Sequence, residues 1–328
     1  MENILVIGGA GFCGINLAKF YLFKGYNVKL FDNFSGKYSR LNAEWLCTSY
    51  KNLDIIEGDL CLYSSNHHLD DSIVWSDKVF HFAGQVATTT SVIYPREDFM
   101  TNLLGTFNVL ESIRNNNPSA IMLYISTNKV YGMLENLDME IFPYGVNEEF
   151  PIDFCTPYAC SKGAADQYVR DYNRTYDLKT IVFRQSGVYG NRQFGVEDQG
   201  WVSWFVYNCL MGNPITIYGD GNQVRDILFI DDLVEACDLA ISNEKTYGSI
   251  YNIGGGVENF ISLNQLVDMM SKERKIEIRL SGPRVGDQRV YISDIRKAKR
   301  DFNWEPKISV EDGLTRFTYW VDQNKHLF

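Results

Sequence analysis

The chain has 328 residues, 45% of them hydrophobic and 22% charged, proportions of a globular protein with room for one large α/β domain or two closely joined ones. A net charge of −10 argues against a surface that binds polyanions, so nucleic acid is not an expected partner. No apolar run approaches the roughly 18 residues of a membrane span, and no signal peptide precedes the first strand, so a cytoplasmic protein is expected. The seven cysteines, at 13, 47, 61, 155, 160, 209 and 237, form no C-x-x-C and no zinc-like Cys/His spacing. They read as free thiols, and no metal site is expected.

The chain opens on an apolar strand, Asn3 to Ile7, followed by Gly8-Gly9-Ala10-Gly11-Phe12-Cys13-Gly14 and a helical pattern to Phe23. Glycines at 8, 11 and 14 suit a tight turn, close approach of a pyrophosphate to backbone N–H groups, and close helix–strand packing. A second strand, Val28 to Phe31, ends at Asp32, where a carboxylate would meet an adenosine ribose and repel a 2′-phosphate, which favours NAD over NADP. The alternative for Asp32 is a polar cap on the strand end. Ile55 to Leu60 reads as a third strand end, with Asp59 facing adenine or capping a turn. Val79 to Gly84 is a fourth strand ending in small residues; His81 within it reads as a buried, structurally satisfied histidine. Gln85 and the hydroxyl cluster Thr88 to Ser91 follow, facing a sugar or opening a helix.

Residues 97–116 predict one long helix, containing Asn102 and Gly105. Ile121 to Ile125 is a fifth strand, followed by Ser126-Thr127-Asn128-Lys129-Val130-Tyr131-Gly132. Tyr158 and Lys162 stand four residues apart in a helix predicted to run to Thr175, with Pro157 in its first turn, so both side chains share one face. A lysine cation near a phenol favours the phenolate, so Tyr158 is expected to act as a general base near neutral pH. Thr180 to Phe183 is a further strand, Trp201 to Met211 a helix, Ile250 to Ile253 a strand, and helices are expected near 262–272 and 309–324. The strand–helix alternation predicts a doubly wound parallel sheet with its ligand at the carboxyl ends of the strands.

Together, Gly8, Gly11, Gly14, Asp32, Asp59, Tyr158-x-x-x-Lys162 and Gly219-Asp220-Gly221-x-x-x-Arg225-Asp226 resemble the extended short-chain dehydrogenase/reductase superfamily of nucleotide-sugar enzymes. Within it the chain looks most like the CDP-tyvelose (CDP-paratose) 2-epimerases, through Gly84 to Ala87, Ser126 to Gly132, Phe183 to Ser186 and the unusual run Arg192 to Trp201. It departs at Gly187, where a cysteine is expected. The resemblance implies a Rossmann-type NAD-binding domain over 1–183 with 229–253, and a smaller C-terminal α/β substrate domain over 184–228 with 254–328. It implies tightly bound NAD held by Gly8, Gly11, Phe12, Cys13, Gly14, Asp32, Asn33, Asp59, Leu60, Ala83, Gly84, Gln85, Asn102, Tyr158 and Lys162. It further implies a CDP-linked deoxyhexose met by Thr89, Thr127, Gln185, Gln199, Arg225 and Arg284, the two arginines on the diphosphate.

The implied reaction has Thr127 bonding the reacting hydroxyl, Tyr158 taking its proton, and Lys162 holding the cofactor ribose. The product of that step is a transient 2-keto sugar, which turns and receives the same hydride on its other face. A homodimer or homotetramer is implied, pairing the helices of 97–116 and 157–175. A 4,6-dehydratase needs an acid and a carboxylate after the catalytic threonine, where this chain has Asn128 and Lys129. A 4-epimerase, using the same Thr/Tyr/Lys set, and a non-catalytic NAD-binding regulator stay open as alternatives.

Overall fold

The computed structural model describes residues 2–65, 67–135, 137–272 and 276–328. Seven strands form one parallel sheet: β1 (Asn3–Ile7), β2 (Asn27–Asp32), β3 (Leu53–Glu57), β4 (Lys78–His81), β5 (Ile121–Thr127), β6 (Lys179–Gln185) and, late in the chain, β10 (Ile250–Ile253). Their order is β10-β6-β5-β4-β1-β2-β3, so the chain reverses direction across the sheet between β1 and β4. That switch point opens a crevice at the carboxyl ends of the strands. Both faces of the sheet are covered, which is why β1 is apolar from Ile4 to Ile7 instead of alternating. Ile4 and Val6 join one core with Ile15, Leu17 and Ala18 of helix α1 (Phe12–Phe23). Leu5 and Ile7 join a second core on the other face.

Helices α2 (Ser39–Cys47), α3 (His67–Trp75) and α4 (Thr88–Ile93) follow β2, β3 and β4 respectively. The helix expected over 97–116 is real but interrupted. It is α5 (Pro95–Phe99), a π-helical turn over Met100–Leu104, and then α6 (Gly105–Asn116). The extra residue of such a turn shifts the apolar pattern by a single position, too little to separate the two flanks in the sequence. Helix α7 (Pro157–Tyr176) packs Ala165, Val169 and Tyr172 beside Val109 and Ile113 of α6. The buried ion pair of Asp166 with Arg184 fastens α7 to β6 (2.8 and 3.0 Å).

The remaining chain builds a smaller lobe. Its strands are β7 (Gly187–Tyr189), β8 (Ile215–Tyr218), β9 (Val224–Phe229), β11 (Phe260–Ser262), β12 (Ile278–Ser281) and β13 (Val290–Tyr291). β9 is the hub, pairing β7, β11 and β13, while β8 and β12 form a separate parallel pair. Helices α8 (Trp201–Met211), α10 (Leu263–Ser271) and α12 (Val310–Gln323) cover this lobe; α9 (Ile230–Ile241) returns to α1, and α11 (Arg296–Phe302) to β10. Helix α8 and strand β10 match their sequence-predicted bounds residue for residue.

Candidate active site

A cleft of about 760 Å³ runs over the carboxyl ends of the sheet and into the smaller lobe. At one end the backbone leaves β1 through Gly8, whose φ of +75° and contact with the chain at Ala83 leave no room for a Cβ. Gly14 is equally tight: a Cβ there would sit 2.4 Å from the Gly8 carbonyl. The first turn of α1 has Gly11 as its N-cap, and no side chain caps it. Its N–H groups at Phe12, Cys13 and Gly14 are thus set at the cleft wall where an anion would meet them. Those features fit the pyrophosphate of a dinucleotide.

Asp32 closes β2, buried beside this turn. Its carboxylate accepts from the N–H groups of Ala10 (2.9 Å) and Phe34 (2.8 Å). Asp32 thus caps the strand end and also lines the cleft. Burial raises its pKa, and the two N–H groups oppose that rise. Asn33, Asp59, Leu60, Ala83, Gly84 and Gln85 line the same end. Asn102 does not reach the cleft surface. It is fully buried in the π-helical turn, where its side chain accepts from the Gln85 N–H (2.8 Å) and donates to the Gln85 carbonyl (3.1 Å). Its place is behind the wall, fixing the Gly84–Gln85 backbone.

At the centre stand Thr127, Tyr158 and Lys162. Thr127 is the last residue of β5; Tyr158 and Lys162 lie one turn apart at the start of α7, as their spacing requires. Pro157 takes the first helical position, and the Ser91 hydroxyl accepts from the Tyr158 N–H (3.1 Å). Thr156, the N-cap, sits at φ +90°, an uncommon conformation for a β-branched residue. Lys162 reaches back along the sheet to donate to the Ile125 carbonyl (2.5 Å), with its nitrogen 4.3 Å from the Tyr124 ring centre.

The electrostatics correct one expectation. Lys162 is not among the groups that set the Tyr158 pKa, which is raised and not lowered. Burial pushes its phenol up to about 12, the Thr127 hydroxyl pulls the other way, and the carboxylate of Asp98 adds to the rise. Lys162 is itself desolvated, which lowers its pKa to about 7 against the opposing pull of Asp166 and Asp98. A half-charged lysine cannot offset the burial of a phenolate. His81 is likewise only half satisfied: one ring nitrogen meets the Thr106 hydroxyl (3.0 Å) and the other has no partner. Burial and the Lys162 charge hold it neutral, at about 3.

Beyond the catalytic set, Thr89 of α4 and Gln185 of β6 line the cleft together with Gln199, Arg225 and Arg284 of the smaller lobe. Gln85 Oε1, Thr89 Oγ1 and Gln185 Oε1 are buried without a partner, which suits a polar ligand. Both arginines are already engaged. Arg225 donates to Asp287 (2.6 Å) and Arg284 pairs with Asp198 (3.2 Å) while lying over the Tyr218 ring. The sequence reading of individual site residues did not include Lys129, Gln193, Gln223, Asp287 or Gln288. Four of these line the cleft and Gln288 is buried behind it. Asp287 had a usable signal in the run Arg284 to Asp287, and Gln193 in the run Arg192 to Trp201; Gln223 and Gln288 had none.

A glycine turn for a dinucleotide, a strand-end carboxylate and a Thr–Tyr–Lys set on this sheet define an extended short-chain dehydrogenase/reductase. More closely, the family model described as GDP-mannose 4,6 dehydratase matches residues 5–317, and the chain belongs to that family. A CDP-paratose 2-epimerase of Salmonella typhi is 40% identical over 336 residues, which cover 97% of this chain and 99% of that protein. Among solved structures, the UDP-glucose 4-epimerase of Thermotoga maritima with UDP-glucose gives a TM-score of 0.86 at 30% identity, covering 98% and 99% of the two chains. The UDP-glucose 4-epimerase of Thermus thermophilus in complex with NAD gives 0.85 at 28% identity, with the same coverage.

Proposed function

We propose that this chain is an NAD-dependent nucleotide-sugar epimerase, and that it inverts C2 of a CDP-linked deoxyhexose of the paratose/tyvelose type. The observation that carries the reading is Thr127, Tyr158 and Lys162 converging where the dinucleotide end of the cleft meets the smaller lobe, with Asn128 and Lys129 in place of an acid pair. The 40% identity to a CDP-paratose 2-epimerase supports the C2 and CDP assignments. The division into 1–183 with 229–253, and 184–228 with 254–328, follows from the same reading. It is supported by the separate sheets of the two lobes.

When bound, NAD supplies a reversible hydride acceptor whose ring carries positive charge. The residues to hold it are the α1 N-terminus, Asp32 and Lys162, with Gly84 between them, where a Cβ would stand 2.9 Å from the Asn102 side-chain oxygen. Thr127 holds the reacting hydroxyl, and Tyr158 takes its proton. Burial holds the phenol at about 12, and a positive charge beside Tyr158 would lower it and favour its action as the base. The sugar carbon becomes a ketone, the sugar turns in the polar far end of the cleft, and Tyr158 returns the proton. With an amide and an ammonium after Thr127, no carboxylate pair stands ready to expel water, which disfavours dehydration.

Helices α4, α5 and α7 expose Ile93, Tyr94, Phe99, Tyr168 and Tyr176, and this apolar surface supports pairing of two copies. No helix among the described residues is long and apolar enough to cross a membrane. The functional reading is tested by product analysis across CDP-, UDP-, GDP- and dTDP-deoxyhexoses. A C2 epimer from the CDP sugar is expected; a C4 epimer, or no product from any of them, would overturn it.

A further inference from the structure

The segment 283–287 runs as a strap along the cleft, between the smaller lobe and the turn after Thr127, with Arg284, Val285, Gly286 and Asp287 on the lining. On the side of the smaller lobe it is tied by Asp287 to Arg225 and Gln223 (2.6 and 3.2 Å), and by Arg284 to Glu197 and Asp198. On the catalytic side its polar ties come from the two residues after Thr127. The Lys129 ammonium donates to the Gly286 carbonyl (2.9 Å). The Asn128 amide donates to Gln288 (3.0 Å), which in turn donates to the Gly132 carbonyl (2.6 Å). The Lys129 N–H itself bonds the Thr127 hydroxyl oxygen (3.2 Å), so one short turn holds both the reacting threonine and the strap.

Gly286 presses on the catalytic helix as well. At φ +74° its backbone lies so close to Thr156, the N-cap of α7, that a Cβ would stand 2.5 Å from the threonine methyl.

We propose that Asn128 and Lys129 form a latch that holds the strap 283–288 across the nucleotide-sugar end of the cleft, with Lys129 as its principal positioning residue. The two positions where dehydration chemistry would need acids are here spent on closing the site. Burial and the Arg225 cation beside it lower the Lys129 ammonium to about 8, with Asp287 opposing, which agrees with a cation enclosed by the strap. Closure matters for an epimerase because its ketone must turn within the site without escaping. For its substrate the latch rests on the proposed function; for its structure it does not.

Amide hydrogen exchange on the full chain without substrate, followed by steady-state kinetics with CDP-paratose, tests it. Lys129→Met removes a hydrogen bond from a charged donor, so amides of 284–289 should exchange about tenfold faster. KM should rise about tenfold while kcat stays within about threefold, because binding and not chemistry is loosened. Lys129→Arg keeps a charged donor and should restore most of both. Unchanged exchange in Lys129→Met overturns the latch whatever the substrate. A fall in kcat with KM and exchange unchanged also overturns it, since Lys129 would then act on the reacting atoms.

Discussion

Asp166 stands one turn beyond Lys162 on α7, and its replacement by asparagine is the sharpest test of how the catalytic helix is held. Both of its oxygens are committed to Arg184, at 2.8 and 3.0 Å, and the paired side chains are 0% and 3% exposed. Arg184 also donates to Tyr131 (3.1 Å), which donates to Asn252 on β10 (2.7 Å). Asp166→Asn leaves the volume unchanged and strands a buried guanidinium, a loss of about 3–5 kcal/mol. With an unfolding entropy of about 2.1 cal/mol/K per residue, the chain carries about 0.7 kcal/mol/K, so Tm should fall by about 6 °C. An exposed pair makes the control: Lys299 and Glu305 are more than half exposed, and Lys299→Ala should move Tm by about 1 °C at most. Scanning calorimetry reads both. A change below about 1 °C for Asp166→Asn would refute the claim that this pair fastens the catalytic helix to the sheet.

Three further outcomes are expected. Tyr158→Phe should cut turnover by orders of magnitude with the fold kept, and Thr127→Val should cut it less; near-normal turnover in Tyr158→Phe would break the proposed chemistry. Lys162, lowered from 10.5 to about 7, carries its full burial penalty below pH 7 in the folded chain. Between pH 7 and 10.5 the unfolded chain binds more protons at this site, so its contribution makes stability rise with pH. Urea unfolding of nucleotide-free protein should therefore show Lys162→Met gaining more over the wild type at pH 7 than at pH 9.5; an equal gain at both refutes the shift. Calorimetric titration should show NAD bound more tightly than NADP, because Asp32 repels a 2′-phosphate; equal or tighter NADP binding contradicts that role.

Much of the sheet was legible because each of its strands is a short apolar run followed by small or polar residues at the carboxyl end. The glycine turn, Asp32, Thr127, Tyr158 and Lys162 could be placed from position alone, since a parallel sheet puts every strand end on one edge. The small strands β7, β11 and β13 were not legible: at two or three residues they have no period to read, and they exist because β9 offers hydrogen bonds on both sides. Asn102 was named as a cofactor residue by resemblance, and the π-helical turn buries it one layer behind the cleft wall. The direction of the Tyr158 shift was misread for a similar reason. Spacing brings a lysine near a phenol, whereas only the tertiary packing shows that both are desolvated together. The latch residues Asn128 and Lys129 were noted for the chemistry they cannot do, and their partners, 157 to 160 residues away, could not be inferred from the turn itself.

The central claim is reversible oxidation at C2 with the hydrogen kept from water. CDP-paratose deuterated at C2 should yield a C2 epimer that retains the label, and turnover of unlabelled sugar in heavy water should introduce none there. Loss of the label to solvent would contradict the mechanism, and inversion at C4 with C2 untouched would contradict the assignment of the reacting carbon.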